Sequence, residues 1–452
     1  MYRNYLSRIP SFDRSTEECL EKISKERGEL LPEDEVFIHV FAPVICSFVY
    51  YVLRDAKRRG VKRLVFLARD GYLPYKAALE LGPVIAPEIE LSIISVSRYA
   101  LRGAEYALDK TDPLETICLG SLEPTFEKMM KRASLSDEEI SNLAEKIGMA
   151  GRSSDLLTHK EIAEIKERLR TVPEFYEAVK NHSADKLQKV TDYLKQEGIT
   201  KDSIKDTFIV DSGWIGTIQR SLRVLISGGE DIKLEGYYFG LYSVPKGENR
   251  NTYHNFYISP GSGFKNLLRK VNFNICLFES ICSSPESMTY GYEYLNGKVV
   301  PVTEEDGNPN KVFINRAEEH LMIFTNVLAS RLQDEKPDED DLRKMCYKLL
   351  KRCMSDPTLE ESKALGKFFF SDEVIESNPG RLAGLWNQYD LKANGFIRKM
   401  LVKAGFIKGK LPVSGWPEGS IAYASTGIKK RLCLMSEKAS KTVTEVRKTV
   451  IT

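Results

Sequence analysis

Four short apolar runs, each handing over to a charged or hydroxyl-bearing loop, constrain this chain more than any other feature. Arg63–Ala68 (RLVFLA) runs into Arg69-Asp70-Gly71, and residues 91–96 (LSIISV) into Ser97-Arg98. Residues 206–210 (DTFIV) run into Asp211-Ser212-Gly213-Trp214, and residues 234–242 (LEGYYFGLY) form the fourth run. Runs this short and continuously apolar read as strands covered on both faces. Helical segments over 73–81, stopped by Gly82-Pro83, and over 218–226 separate them in pairs. Strand–helix–strand with short loops is the mark of a parallel sheet. The expected class is α/β, with a mostly parallel sheet.

A chain of 452 residues suggests two or three domains. Residues 119–199 read as a helical insertion, helical from Leu122 to Gly198. Ser136 with Glu139 and Thr158 with Glu161 form capping boxes, and Leu187, Val190, Thr191 and Leu194 share one helix face. Residues 255–258 and 298–302 read as further strands, and 312–370 and 381–406 as helical. The expected organisation is an N-terminal extension (1–34), an α/β core (35–118 and 200–303), the insertion (119–199), a C-terminal helical region (304–414) and an irregular basic segment (415–452).

Residues 36–53 form an eighteen-residue stretch without formal charge, at the lower edge of a membrane span. His39, Pro43 and three hydroxyl side chains argue for a buried core helix instead, starting at Pro43 and stopped by Gly60. The net charge of +2 gives no global basic field, so nucleic acid is not an expected partner. Eight cysteines without a C-x-x-C pair read as free thiols of a reducing, cytoplasmic compartment, and the first residues carry no signal-peptide core. The histidines share no metal-ligand spacing.

In an open parallel sheet, ligands bind beyond the carboxyl ends of the strands. Arg69-Asp70-Gly71, Ser97-Arg98 and the Asp211–Gln219 stretch all belong to that edge. Gly213 and Gly216 permit a tight turn ahead of a helix N-terminus, a backbone concavity that suits an anion, with Ser212 and Thr217 adding hydroxyls. Asp211 has the wrong charge for phosphate but suits a sugar's vicinal hydroxyls or a magnesium-bound water. Arg69 and Arg98 can each pin a phosphate. Blander readings stand beside these: Asp211 as a cap, Arg69 paired with Asp70, Glu279 as a paired structural carboxylate instead of an acid/base group. Trp214, Trp386 and Trp416 read as core packing or as sugar-stacking faces, and residues 260–263 as a surface turn or lid. The tail over 429–448 carries seven Lys/Arg against two Glu, a solvated tail or a contact for an acidic membrane surface.

The strand, Arg-x-Gly turn, helix, strand, and later IVDSGWIGT before a helix resemble the type I phosphoribosyltransferase layout. More specifically, FLARDGY, SVSRYAL, VDSGWIGTIQ, GYYFGL and GWPEGS resemble one group of bacterial polysaccharide-biosynthesis proteins, often labelled predicted haloacid-dehalogenase-type hydrolases. The resemblance implies a phosphoribosyltransferase-like core and transfer of 5-phosphoribosyl from phosphoribosyl pyrophosphate to a glycan hydroxyl. It implies Mg²⁺, held mainly by the substrate diphosphate. Its implied partners are a glycan acceptor, free or lipid-linked, a separate phosphatase and glycosyltransferases. On this resemblance Arg69 and Gly71 meet the diphosphate; on the residue reading Arg98, with Ser97 beside it, contacts a second phosphate group. Asp211 meets the ribose, and Gly213, Gly216 and Thr217 cradle the 5-phosphate; Ser212, Trp214 and Gln219 of the same loop are further candidate substrate contacts. Asp70 is the candidate base. Ser212 stands where that family carries a second acid, and Trp214 is foreign to its loop. Phosphatases of the dehalogenase type need Asp-x-Asp after a strand; neither Arg69-Asp70-Gly71-Tyr72 nor Asp211-Ser212-Gly213 supplies it. The alternatives are a phosphohydrolase using one aspartate and a non-catalytic sugar-phosphate-binding module.

Overall fold

The computed structural model describes residues 2–108, 112–118, 124–228, 230, 232–370, 380–403, 406–407 and 411–451. The expected helix start at Leu122 lies outside them. The strands β1 (Arg63–Ala68), β2 (Glu90–Ser95), β3 (Thr207–Trp214), β4 (Glu235–Leu241) and β5 (Tyr253–Ile258) form one sheet in the order β2-β1-β3-β4-β5, every neighbouring pair parallel. A hairpin, β6 (Gly291–Leu295) and β7 (Lys298–Val302), stands apart from it, so the run over 298–302 is a strand outside the main sheet. The principal helices, in chain order, are α1 (Pro10–Arg27), α2 (Pro32–Arg59), α3 (Tyr72–Ile85), α4 (Arg98–Glu105), α5 (Pro173–Gln196), α6 (Thr217–Ser227), α7 (Ile275–Ile281), α8 (Lys311–Arg331), α9 (Glu339–Ser355) and α10 (Gly427–Ile451).

Alternation along the strands sorts the core into two layers. Leu64, Phe66, Phe208, Val210, Tyr237 and Phe239 face one side, in a cluster shared with α1, α2, α3 and α8. Val65, Leu67, Ile94 and Ile209 face the other, with α4, α5 and α6. The crossover after β1 therefore runs on one face and the crossover after β3 on the opposite face. That reversal makes the gap between β1 and β3 the switch point of a doubly wound, Rossmann-like sheet.

The apolar stretch is a core element: the membrane-length window within α2 is 94% buried inside the fold. Gly60 at φ +72° stops the helix as expected, but the start lies at Pro32, eleven residues before Pro43. Pro43 has no N–H to donate, and the turn ahead of it, Phe37–Phe41, widens to a π turn that carries the helix through. The N-terminal segment packs onto the main core, where its Leu6, Phe12, Cys19 and Ile23 are fully buried.

The insertion is helical, and both capping boxes form, Ser136 with Glu139 and Thr158 with Glu161. It has its own apolar core, from Tyr106 to Val179. α5 joins this core to the sheet: Phe175 and Val179 lie in the insertion's cluster, while Val190, Tyr193 and Leu194 lie against the sheet. The irregular segment expected after Gly415 is instead helical, through Pro417–Ala424 and the 25-residue α10. All eight cysteines are free thiols.

Candidate functional site at the sheet crossover point

Pairing between β1 and β3 ends at Phe66 opposite Val210, whereas β3 continues beside β4 as far as Trp214 opposite Leu241. Asp211, Ser212 and Gly213 are thus strand residues, not a turn; the expected end of the strand at Val210 is wrong. Gly213 makes the extension feasible. Its φ is +109°, and a Cβ there would lie 2.4 Å from the Gly240 carbonyl oxygen of β4. The remaining turn is short, Ile215 and Gly216 (φ +73°), before α6 begins at Thr217.

Beyond Val210 the β1-facing edge of β3 opens into a fork, and a cavity of about 150 Å³ lies there. Arg69, Asp70, Ser97, Arg98, Asp211, Gly213, Trp214 and Thr217 all line it. The three loops singled out in the sequence do converge at one edge. Gly71, Ser212, Gly216 and Gln219 do not line it. Gly71 is needed for its size, because a Cβ would meet the Leu67 carbonyl oxygen at 2.5 Å. Ser212 is buried on the alternate side of β3. Gln219 is not available to a ligand: its amide donates to the Leu234 carbonyl at 2.9 Å and accepts from the Tyr238 hydroxyl at 2.7 Å, which ties α6 to β4. Ser97 is a helix cap whose Oγ accepts from the Ala100 N–H and donates to the Thr289 carbonyl, fixing the start of α4.

The cavity also holds a residue from far along the chain. Glu279, on the short helix α7, projects beside β3 and accepts a 2.7 Å hydrogen bond from the Trp214 indole N–H. Asn274 fixes the start of α7 by accepting from the Leu277 N–H at 2.7 Å. A lone carboxylate in the apolar run LFESIC was the available signal, but nothing in the local pattern links it to β3.

Burial pushes the Asp211 carboxyl up to about 7, and the negative charge of Glu279 adds to the shift. Hydrogen bonds from the Ser212 and Gly213 N–H groups and the positive charge of Arg98 pull it down. Glu279 is raised in the same direction, first by burial and then by Asp70, against Arg98, the Trp214 hydrogen bond and Arg69. Three carboxylates and two guanidiniums therefore act on one another at this fork. One turn past Arg98, Arg102 is lowered by burial, and the like charges of Arg98 and Arg220 add to the effect. Arg220 pairs with the buried Glu105 at 3.0 Å.

Among the described residues no group of three or more His, Cys, Asp or Glu side chains is arranged to hold a metal ion. Asp211 and Glu279 remain a reasonable pair for a magnesium ion that takes its other ligands from phosphates and water. Of the tryptophans, Trp416 is fully buried with its N–H on the Met354 carbonyl, and Trp386 is buried with its N–H on the Val413 carbonyl, so neither offers a face to a sugar. Trp214 lines the cavity while packing against Phe273 and Phe278. Residues 260–263 form an exposed turn held by Asn266, whose side chain bonds Ser259 and Gly261.

Fold and site together define an α/β protein of the doubly wound, Rossmann-like class, with a charged crevice at its switch point. The chain matches no protein-family model and no curated protein.

Proposed function

We propose that the chain is a magnesium-dependent phosphoribosyltransferase that moves 5-phosphoribosyl from phosphoribosyl pyrophosphate to a glycan hydroxyl. In this reading the phosphoribosyltransferase-like core carries the donor, at the cytoplasmic face of the membrane. The convergence of Arg69, Arg98, Asp211 and Glu279 on one crevice carries the reading. Cations suit a diphosphate leaving group, and an adjacent carboxylate pair suits ribose hydroxyls.

Glu279 fills the place of the second acid that Ser212 leaves vacant in the resemblance. Magnesium, bound with the diphosphate, supplies charge neutralisation. The chain's own groups do the rest. Asp211 and Glu279 orient the ribose, Arg69 and the exposed Arg98 take up charge on the departing diphosphate, and the N–H groups at the start of α6 meet the 5-phosphate beside Thr217. The bond from ribose C1 to the diphosphate oxygen breaks, and a bond from C1 to the glycan oxygen forms. The glycan hydroxyl proton passes to a carboxylate of the crevice, with Asp70 the candidate acceptor.

Calorimetric titration with magnesium and phosphoribosyl pyrophosphate tests the reading. Binding is expected for the native chain and is expected to vanish for Asp211→Asn. Diphosphate release with a glycan acceptor supports transfer. Release of inorganic phosphate from simple esters would make the chain a phosphohydrolase, and no binding at all would sink the donor site.

A further inference from the structure

A second cavity, about 700 Å³ in volume, lies away from the sheet edge, between α9, α10 and the first residues of the chain. Five cations line it: Lys348, Lys351 and Arg352 from α9, Arg431 and Lys438 from α10; Arg352 is paired with Glu361 at 3.1 Å. The two acids on its wall are engaged elsewhere, Glu418 with Lys441 and Asp356 with Lys430 at 3.5 Å. Lys348 and Lys351 lie over the rings of Tyr5 and Tyr347, at 6.0 Å and 5.8 Å. Burial lowers Lys438, with Lys351 adding, and burial lowers Lys348, with Arg8 adding. Five cations against two acids, each acid already paired with a lysine outside the cavity, favour an anion.

The walls argue about the rest of the ligand. Leu434 and Met435 line the cavity beside Val271. On the outer face of α10, Ile428, Leu432 and Met435 follow at i, i+4 and i+7, exposed at 77%, 61% and 67%. Arg431 and Lys438 form the neighbouring row on the helix. An apolar stripe flanked by a cationic row, on an outward-facing helix, has the chemistry of an interfacial membrane helix.

We propose that α10 and this cavity dock the protein on an anionic phospholipid bilayer. The lipid phosphate enters among Lys348, Lys351, Arg431 and Lys438, and Ile428, Leu432 and Met435 enter the acyl boundary. This surface is separate from the sheet crevice and does not depend on the activity proposed for it.

The test is co-sedimentation of the full chain with phosphatidylcholine vesicles, with and without phosphatidylglycerol. Binding is expected only with phosphatidylglycerol and weakens with salt. Lys351→Gln with Lys438→Gln is expected to weaken it about thirtyfold. Leu432→Ser with Met435→Ser is expected to weaken it with every charge in place. Circular dichroism and the thermal unfolding midpoint report whether each variant still folds. Equal binding to phosphatidylcholine alone, or unchanged binding by the lysine double variant, overturns the proposal. So does displacement by inorganic phosphate beyond that given by chloride at equal ionic strength, which would mark a site for soluble phosphate.

Discussion

The indole N–H of Trp214 donates a 2.7 Å hydrogen bond to Oε1 of Glu279, joining the last residue of β3 to a helix 65 residues further on. The bond sets the position of a carboxylate in a crevice that the strand itself does not supply with a second acid. Trp214→Phe keeps the ring contacts with Phe273 and Phe278 and removes the donor. It is expected to reduce stability by about 1–3 kcal/mol, measured by denaturant unfolding, and to weaken ribose-phosphate binding in parallel.

Asp211 makes stability depend on pH. Its carboxyl is raised from 3.8 to about 7 in the folded chain, so the folded state holds an extra proton between those values. Its contribution is full below about pH 4, falls as pH rises and is lost above 7. Asp211→Asn is expected to flatten this fall, leaving the variant the more stable of the two at pH 8. An unchanged slope would mean that another group titrates there.

Two glycines separate conformation from space. Gly213→Ala places a Cβ 2.4 Å from the Gly240 carbonyl oxygen at φ +109°, and its expected cost is about 3 kcal/mol or more. Gly60→Ala has a similar left-handed φ of +72° but nothing within 4 Å, and should cost about 1 kcal/mol. Thermal unfolding of the pair distinguishes them. Equal shifts would show that close approach to β4 is unimportant.

Arg98 stands exposed at the first position of α4, next to the cavity. Removing it is expected to weaken magnesium diphosphate binding roughly tenfold to a hundredfold. Arg98→Lys should restore only part of this, because a point charge lacks the planar pair of donors. Inhibition by inorganic diphosphate gives the readout.

The features read correctly from sequence were those decided within a few residues. RLVFLA carries its strand whole, Gly60 stops α2, and Ser136 and Thr158 cap the helices they precede. The failures were decided by distant partners. Gly213 looks like a turn residue, yet it is the residue that lets β3 lie close beside Gly240. Gln219 looks like a ligand contact until the Leu234 and Thr252 carbonyls, just ahead of β4 and β5, and the Tyr238 hydroxyl of β4 engage its amide. Glu279 had no visible tie to Asp211, because no local spacing says which later helix returns to the end of a strand. α10 was read as irregular because its lysines and arginines hid a 3.6-residue apolar period.

The separate core of the insertion carries a consequence for how such a protein diversifies. Among the described residues, twenty-one buried apolar positions between Tyr106 and Val179 form one cluster, which α5 joins to the sheet. Substitutions there can reshape one wall of the molecule while the register of β1, β3 and β4 stays fixed. The crevice and the wall beside it are thus packed against different neighbours, with α5 the one long element that belongs to both.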